Sequence, residues 1–269
     1  MMAEILCPVC GGVLERQKGG LCCRLGHNFD IARQGYYNLL TVNQKRSLHP
    51  GDTKEMVAAR RRFLDTGAYA PIAEAVCGLI KTDWDGGLLL DAGCGEGYYT
   101  AKAAESLTSG EFHGIDVSKD AVRYASARYK NITWLCGTAA HLPYSDSSVS
   151  CLMSMFAVTV PGEFHRVLRK NGIFLQVLAG EDHLLGLKNI IYPELHHKEK
   201  VLHPSYPGFR LEESRELSFQ FTAEGTQVQD LLSMTPHFWR ISKEGVARLK
   251  ETERLTDTAQ VILNVFRRE

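Results

Sequence analysis

"GGLLLDAGCGEGYYTAKAAE" occupies Gly86–Glu105 and decides the fold. A short apolar run, Leu88–Leu90, ends on Asp91; glycines follow at Gly93, Gly95 and Gly97, and an alanine-rich helical pattern then begins. Small residues are needed where a backbone turns sharply from strand to helix and lets a ligand come close. The order G-x-G-x-G departs from the dinucleotide fingerprint G-x-G-x-x-G, which argues against a nicotinamide-binding domain. The next unit points to a cofactor loop all the same. "EFHGIDVS" (Glu111–Ser118) is a second short apolar strand, and it ends on Asp116, twenty-three residues after Gly93. An acid placed there accepts both hydroxyls of a ribose.

Working outward, "ELSFQFT" (Glu216–Thr222) and "AQVILNVFRR" (Ala259–Arg268) alternate as strands do. On the other side, Asp52 followed three residues later by Glu55 reads as a capping-box start, and Met56, Ala59 and Phe63 recur at helical spacing. A helix over about Thr53–Leu64 is expected, then a second over about Tyr69–Lys81 that leads through "DWDGG" into the main domain.

The N-terminus carries four of the eight cysteines. Cys7 and Cys10 flank Pro8 and precede Gly11 and Gly12; twelve residues separate Cys10 from Cys23, and three more lead to His27, giving C-x2-C-x12-C-x3-H. Two short knuckles of this kind supply four ligands to a tetrahedral zinc. Cys22 offers an alternative with spacings of eleven and four; Cys23 is the preferred ligand. Four protein ligands leave no open coordination position, so the expected role is structural. A ribbon this small buries too little apolar surface to fold alone, and the metal supplies the missing energy. Its use is then recognition. Cys77, Cys94, Cys136 and Cys151 are scattered in apolar surroundings and read as small buried residues.

With 269 residues, 44% of them hydrophobic, the chain has enough apolar material for one large domain and one small one. Net charge is zero and the sequence pI about 7.1, so bulk charge points to neither nucleic acid nor membrane. Residues 1–62, however, hold ten Lys/Arg against five Asp/Glu. The sequence shows no basic leader with an apolar core and no apolar run near the roughly 20 residues of a membrane span. A cytoplasmic protein is expected, and in that reducing compartment clustered cysteines read as metal ligands. Arg60, Arg61 and Arg62 fan over about 200° of a helix and cannot all face one partner; each taken singly suits a solvated face. Together with Lys45, Arg46, Tyr36 and Tyr37 they form a basic, aromatic-interleaved segment suited to RNA phosphates and stacked bases. Pro236, Phe238 and Trp239 beside Arg240 suit either core packing or stacking on a flipped base.

The pattern strand–DxGxG–helix–strand–Asp, over about residues 86–180, resembles class I S-adenosylmethionine-dependent methyltransferases. That resemblance implies an α/β, Rossmann-like, mostly parallel seven-stranded sheet whose final pair is antiparallel. It also implies that Gly93 and Gly95 line the methionine part of the cofactor and that Asp116 binds its ribose, with Asp91, Tyr99 and Thr100 completing the loop's share of the site. Thr138 stands where many relatives carry an acid, Ser150 begins a strand that often begins with Asp, and "RKNG" (Arg169–Gly172) replaces a common K-P-G-G turn.

Joined to the ribbon and to "GYYNLL" (Gly35–Leu40), "HPGDTKEMVAARRRFLDTGAYAP" (His49–Pro71) and "MTPHFWR" (Met234–Arg240), the chain resembles the 23S ribosomal RNA guanine-N1 methyltransferases. By that resemblance one structural zinc is held by Cys7, Cys10, Cys23 and His27, and Tyr69 and His183 join the cofactor pocket. The partner is a hairpin of 23S ribosomal RNA, and the protein is a homodimer. The expected organisation is a recognition ribbon over 1–35, a basic linker with helices over 36–85, and the methyltransferase domain over 86–269. Val158 stands where relatives tend to have proline. Two rival readings remain: a small-molecule methyltransferase with a structural ribbon, active without RNA, and a catalytically silent RNA-binding homologue. No residue is assigned as the base that takes the guanine N1 proton.

Overall fold

The computed structural model describes residues 3–44, 51–107, 109–195 and 199–269. The chain opens with a three-stranded antiparallel sheet, β1 (Leu14–Gln17), β2 (Gly20–Cys23) and β3 (Asn28–Asp30). A two-residue strand, β4 (Tyr37–Asn38), precedes helices α1 (Lys54–Asp65) and α2 (Ala70–Asp83). Strands and helices then alternate: β5 (Leu88–Ala92), α3 (Tyr98–Ser106), β6 (Glu111–Asp116), α4 (Lys119–Arg128), β7 (Thr133–Cys136), β8 (Val149–Met155), α5 (Pro161–Val167), β9 (Leu168–Ala179) and α6 (Leu185–Ile191). The chain ends with β10 (Phe209–Glu224), α7 (Thr226–Ser233), α8 (Lys243–Lys250) and β11 (Arg254–Arg268).

The large sheet has the order β10-β11-β9-β8-β5-β6-β7-β4. Strand β5 lies near its middle, between β8 and β6, and all five of its residues are buried. That burial on both faces explains why it reads as a continuous apolar run rather than an alternation. Strand β11 runs antiparallel to both β9 and β10, with Leu217 opposite Val261, so the expected terminal pair is found. The seven expected strands gain an eighth: β4, from the segment assigned to the linker, pairs parallel with β7.

The ribbon is continuous with this core. Ile5, Leu14 and Leu21 share one buried cluster with Tyr37, Leu39, Leu90 and Phe164. Main-chain ties join the same surfaces, with Leu6 N–H donating to Pro143 C=O at 2.8 Å and Ala3 N–H to Glu111 Oε2 at 2.7 Å.

Two expectations change. Thr53, not Asp52, caps α1, its hydroxyl accepting from Met56 N–H at 3.3 Å. Asp52 pairs instead with Arg60. The basic segment does not present a row of free arginines: besides that pair, Arg61 lies 3.7 Å from Asp65, and Arg62 grips the buried Asp230 of α7 through Nε and Nη2. Lys45 and Arg46 lie outside the described residues. Over residues 3–44, four cations (Arg16, Lys18, Arg24, Arg33) stand against three acids (Glu4, Glu15, Asp30), so the basic excess of the first 62 residues is not concentrated on the ribbon. Cys77, Cys94, Cys136 and Cys151 are buried, as expected.

Candidate active site and zinc centre

The zinc centre is built by two turns of the ribbon. Cys7 and Cys10 flank one, closed by Gly11 N–H donating to Cys7 C=O at 2.9 Å; Cys23 and His27 flank the other, closed by Gly26 N–H on Cys23 C=O at 2.9 Å. The ligand atoms of Cys7, Cys10, Cys23 and His27 all lie within 4.8 Å of one another. Sγ of Cys10 is 3.6 Å from Sγ of Cys23, and His27 Nδ1 is 3.3 Å from Cys23 and 3.7 Å from Cys7. Bonds of about 2.3 Å to a central ion give tetrahedron edges of about 3.8 Å, so the donor set fits zinc. Burial pushes the Cys23 thiol up, but N–H groups of His27 and Leu25, with the Cys10 and His27 side chains, outweigh it and bring it down to about 6. The thiolate that a metal needs is therefore accessible near neutral pH. Cys22 turns away, its Sγ lying 3.3 Å from Cys23 C=O, which resolves the alternative spacing in favour of Cys23.

At the carboxyl end of β5 the backbone folds into the glycine loop. Gly93 has φ +92°, and a Cβ there would come within 2.5 Å of Ala157 Cβ, so the loop after β8 lies directly on it. Gly97 has φ +88° and caps α3; a Cβ there would meet the Trp134 ring at 2.5 Å. Its role is close packing of helix on sheet. Gly95 N–H donates to Asp116 Oδ2 at 2.9 Å, and Ser118 N–H to Oδ1 at 2.7 Å. These bonds hold the Asp116 carboxylate across the loop. Burial raises its pKa, against the pull of the two N–H groups. Asp91 is buried, and its Oδ2 accepts from Thr100 Oγ1 at 2.6 Å. Thr100 is itself fully buried, so its hydroxyl is spent on Asp91 and ties α3 to β5.

Tyr69, Tyr99 and His183 belong to a second group. Tyr69 Oη lies 3.5 Å from His183 Nε2, and the Tyr69 ring packs edge-on against Phe63 and Phe221. Phe156, in the left-handed region at φ 53°, stands between Tyr99 and His183 at centroid distances of 6.4 and 5.9 Å. Because Ala157 abuts Gly93, the two groups meet at this loop. Desolvation lowers the His183 pKa to about 4, and its Nδ1 is buried without a hydrogen-bond partner among the described residues. Asp91 Oδ1 is unpartnered in the same way. Two orphaned polar atoms and a glycine cradle suit a polar cofactor.

Sequence reasoning missed Phe156 and Glu96, and it grouped Arg60 with the RNA-facing segment rather than with the glycine loop. Glu96 is buried and accepts from Tyr98 N–H at 3.1 Å. Arg60 Nη1 would be 3.5 Å from a Cβ on Gly95, while Nη2 donates to Met234 C=O at 3.2 Å. The glycine loop and the Met234–Arg240 segment are therefore one side chain apart, bridged by Arg60, which reaches Met234 across 174 residues of sequence. Val158 is an exposed residue on the loop after β8.

The sheet order, the pinned acid at the end of β6 and the glycine loop define a class I, S-adenosylmethionine-dependent methyltransferase carrying a zinc ribbon. Comparison with known proteins agrees. Residues 5–48 match the zinc-ribbon family model described as "RlmA, N-terminal", and residues 89–172 match one described as "Methyltransferase domain". The chain is 30% identical to the 23S rRNA (guanine(748)-N(1))-methyltransferase of Streptomyces fradiae, over 90% of its own length and 88% of that protein's. It is also 30% identical to the Bacillus subtilis protein named "Putative 23S rRNA (guanine-N(1)-)-methyltransferase YxjB", over 95% and 94%. A Micromonospora griseorubida relative is 36% identical over 70% and 69%. The chain belongs to the 23S rRNA (guanine-N(1)-)-methyltransferase family.

Proposed function

We propose that this protein transfers the methyl group of S-adenosylmethionine to ring nitrogen 1 of a guanine in a hairpin loop of 23S ribosomal RNA. The observation that carries the reading is the union in one chain of a four-ligand ribbon and an Asp116 carboxylate pinned across the glycine loop. The relatives that share this length of chain are named for that reaction.

When bound, the cofactor supplies a methyl group already activated on a sulfonium. The chain's own residues mainly align and shelter it. Asp116 is set to hold the ribose hydroxyls, and Gly93 and Gly95 give the close approach that the methionine part needs. Thr100 acts through Asp91, whose other oxygen is buried and unpartnered among the described residues. Tyr69, Tyr99 and His183 wall the pocket. With its pKa at about 4, His183 stays neutral at physiological pH and would add no positive charge to a site that takes a cationic cofactor. Guanine N1 carries a proton near neutral pH, which a base must accept as the bond forms. The target base must also leave its stack to reach the methyl group.

In this reading the ribbon, residues 1–35, holds the hairpin, the domain over 86–269 performs the chemistry, and two copies associate as a homodimer in the cytoplasm. No single helix among the described residues is long and apolar enough to cross a membrane; the bent pair α1 and α2 that passes on length and composition keeps its apolar side chains in the core.

The test is transfer from labelled S-adenosylmethionine to unmodified large-subunit RNA, with primer extension to locate the block. A single stop at a hairpin-loop guanine, lost in Cys7→Ala, is expected. Methylation of small acceptors without RNA, or cofactor binding with no transfer, overturns the proposal.

A further inference from the structure

The short helical turn Pro236–Trp239 carries two aromatic rings that the core does not use. Trp239 is 65% exposed and Phe238 38%, with ring centroids 5.2 Å apart and planes at 82°. Apart from Phe156, 41% exposed and packed between Tyr99 and His183, the other large exposed apolar residues are single aliphatics, such as Val158 and Val201 on loops, which need no explanation.

The turn that presents these rings is held from several sides. Thr235 Oγ1 donates to Leu232 C=O at 2.8 Å, Phe238 N–H to Thr235 C=O at 3.2 Å, and Arg240 N–H to His237 C=O at 2.9 Å. His237 Nδ1 lies 2.9 Å from Tyr192 Oη, and Arg60 fixes Met234 C=O. A platform already ordered costs little to dock against. Its charge setting is basic. Arg240 is exposed and makes no salt bridge or side-chain hydrogen bond among the described residues, unlike the three arginines of α1, each of which has an acidic partner. Lys188, Lys200 and Arg240 all act on His237 electrostatically. Through Arg60 the turn is continuous with the glycine loop.

We propose that Phe238 and Trp239 form a stacking platform for an unpaired RNA base at the mouth of the cofactor pocket, with Arg240 placed for the adjoining phosphate. This rests on the RNA substrate proposed above. Indole faces accept any base, and stacking joined to a nearby cation is how single-stranded segments are held without sequence readout. Two rings offer far less area than a stable protein interface of about 1,000 Å² or more needs.

The experiment uses the full-length, zinc-loaded protein and a 23S hairpin fragment. In Trp239→Ala the Kd and KM for the hairpin are expected to rise roughly tenfold, while cofactor affinity and the thermal midpoint stay at wild-type values; Trp239→Phe restores most of the loss. Trp84 and Trp134 are the other two tryptophans. Fluorescence quenching on adding the hairpin should therefore disappear in Trp239→Phe. Wild-type hairpin affinity in Trp239→Ala overturns the platform, and so does a parallel loss of cofactor affinity, which would make the turn a pocket wall. If the wild type methylates the hairpin and Trp239→Ala is unaffected, the platform fails and the function stands. If hairpin binding depends on Trp239 but no methyl is transferred, the function fails and the platform stands.

Discussion

Asp91 shows how a single buried group shapes the molecule. One carboxylate oxygen accepts the Thr100 hydroxyl, the other is unpartnered among the described residues, and burial pushes the pKa up to about 7, with Thr100 pulling down and Asp116 pushing up. In the unfolded chain the group titrates near 3.8. Between about pH 4 and 7 the unfolded state therefore releases its proton first, and stability falls as pH rises through that window. Asp91→Asn keeps an acceptor for Thr100 and removes the titration. The cofactor-free variant should match wild type near pH 4 and exceed it by pH 8, by up to about 4 kcal/mol; thermal melts across that range check it, and a pH-independent difference contradicts it. Gly97→Ala combines a left-handed φ with a 2.5 Å approach to Trp134 and should cost about 2–4 kcal/mol in chemical denaturation. At this scale the four zinc ligands were legible because short spacings bring them together without help from the rest of the fold. The partnership of Thr100 with Asp91 was not, because it depends on how α3 turns back over β5.

Helix α1 shows the limit of local reading at the next scale. Its periodicity was legible, and its ends were placed to within a residue. Its arginines were not. Arg62 meets Asp230 across 168 residues, and Arg60 meets Met234 across 174. Nothing in the local pattern separates an arginine aimed at phosphate from one aimed at a distant helix. Helix α1 works as a strap: Ser118 Oγ donates to Asp52 C=O at 2.8 Å, Arg128 reaches Asp65 at 2.7 Å, and Arg62 fastens it to α7. Arg62→Ala leaves the buried Asp230 without its countercharge and should lower stability by about 1–3 kcal/mol. The salt dependence of hairpin binding should not change, because Arg62 neutralises no phosphate. A shallower slope of log Kd against log salt in the variant would return Arg62 to the RNA surface.

For the whole molecule, the question is whether the ribbon is a separate bead or part of the main fold. Its apolar residues sit in the cluster that covers one face of the large sheet, and the following segment adds β4 to that sheet's edge, where Leu39 N–H donates to Cys136 C=O at 2.8 Å. The Ala3 amide ends a partly buried chain of polar contacts: Glu111 accepts it, His113 Nε2 lies 2.7 Å from Glu111 Oε1, and His113 Nδ1 lies 2.7 Å from Tyr144 Oη. A boundary near residue 35 therefore marks a change of sheet, not a break in packing. Zinc holds the two knuckles in register, and without it Ile5, Leu14 and Leu21 lose the scaffold that presses them onto the cluster. Chelation should then lower the thermal midpoint of the entire chain in one transition and raise amide exchange at Tyr37–Leu39 and Cys136. Glu111 and Tyr144 should feel the change too, since their contacts begin at Ala3. A large-domain transition that keeps its midpoint after chelation would show a ribbon merely tethered, and its hold on RNA would then be independent of the sheet that carries the glycine loop.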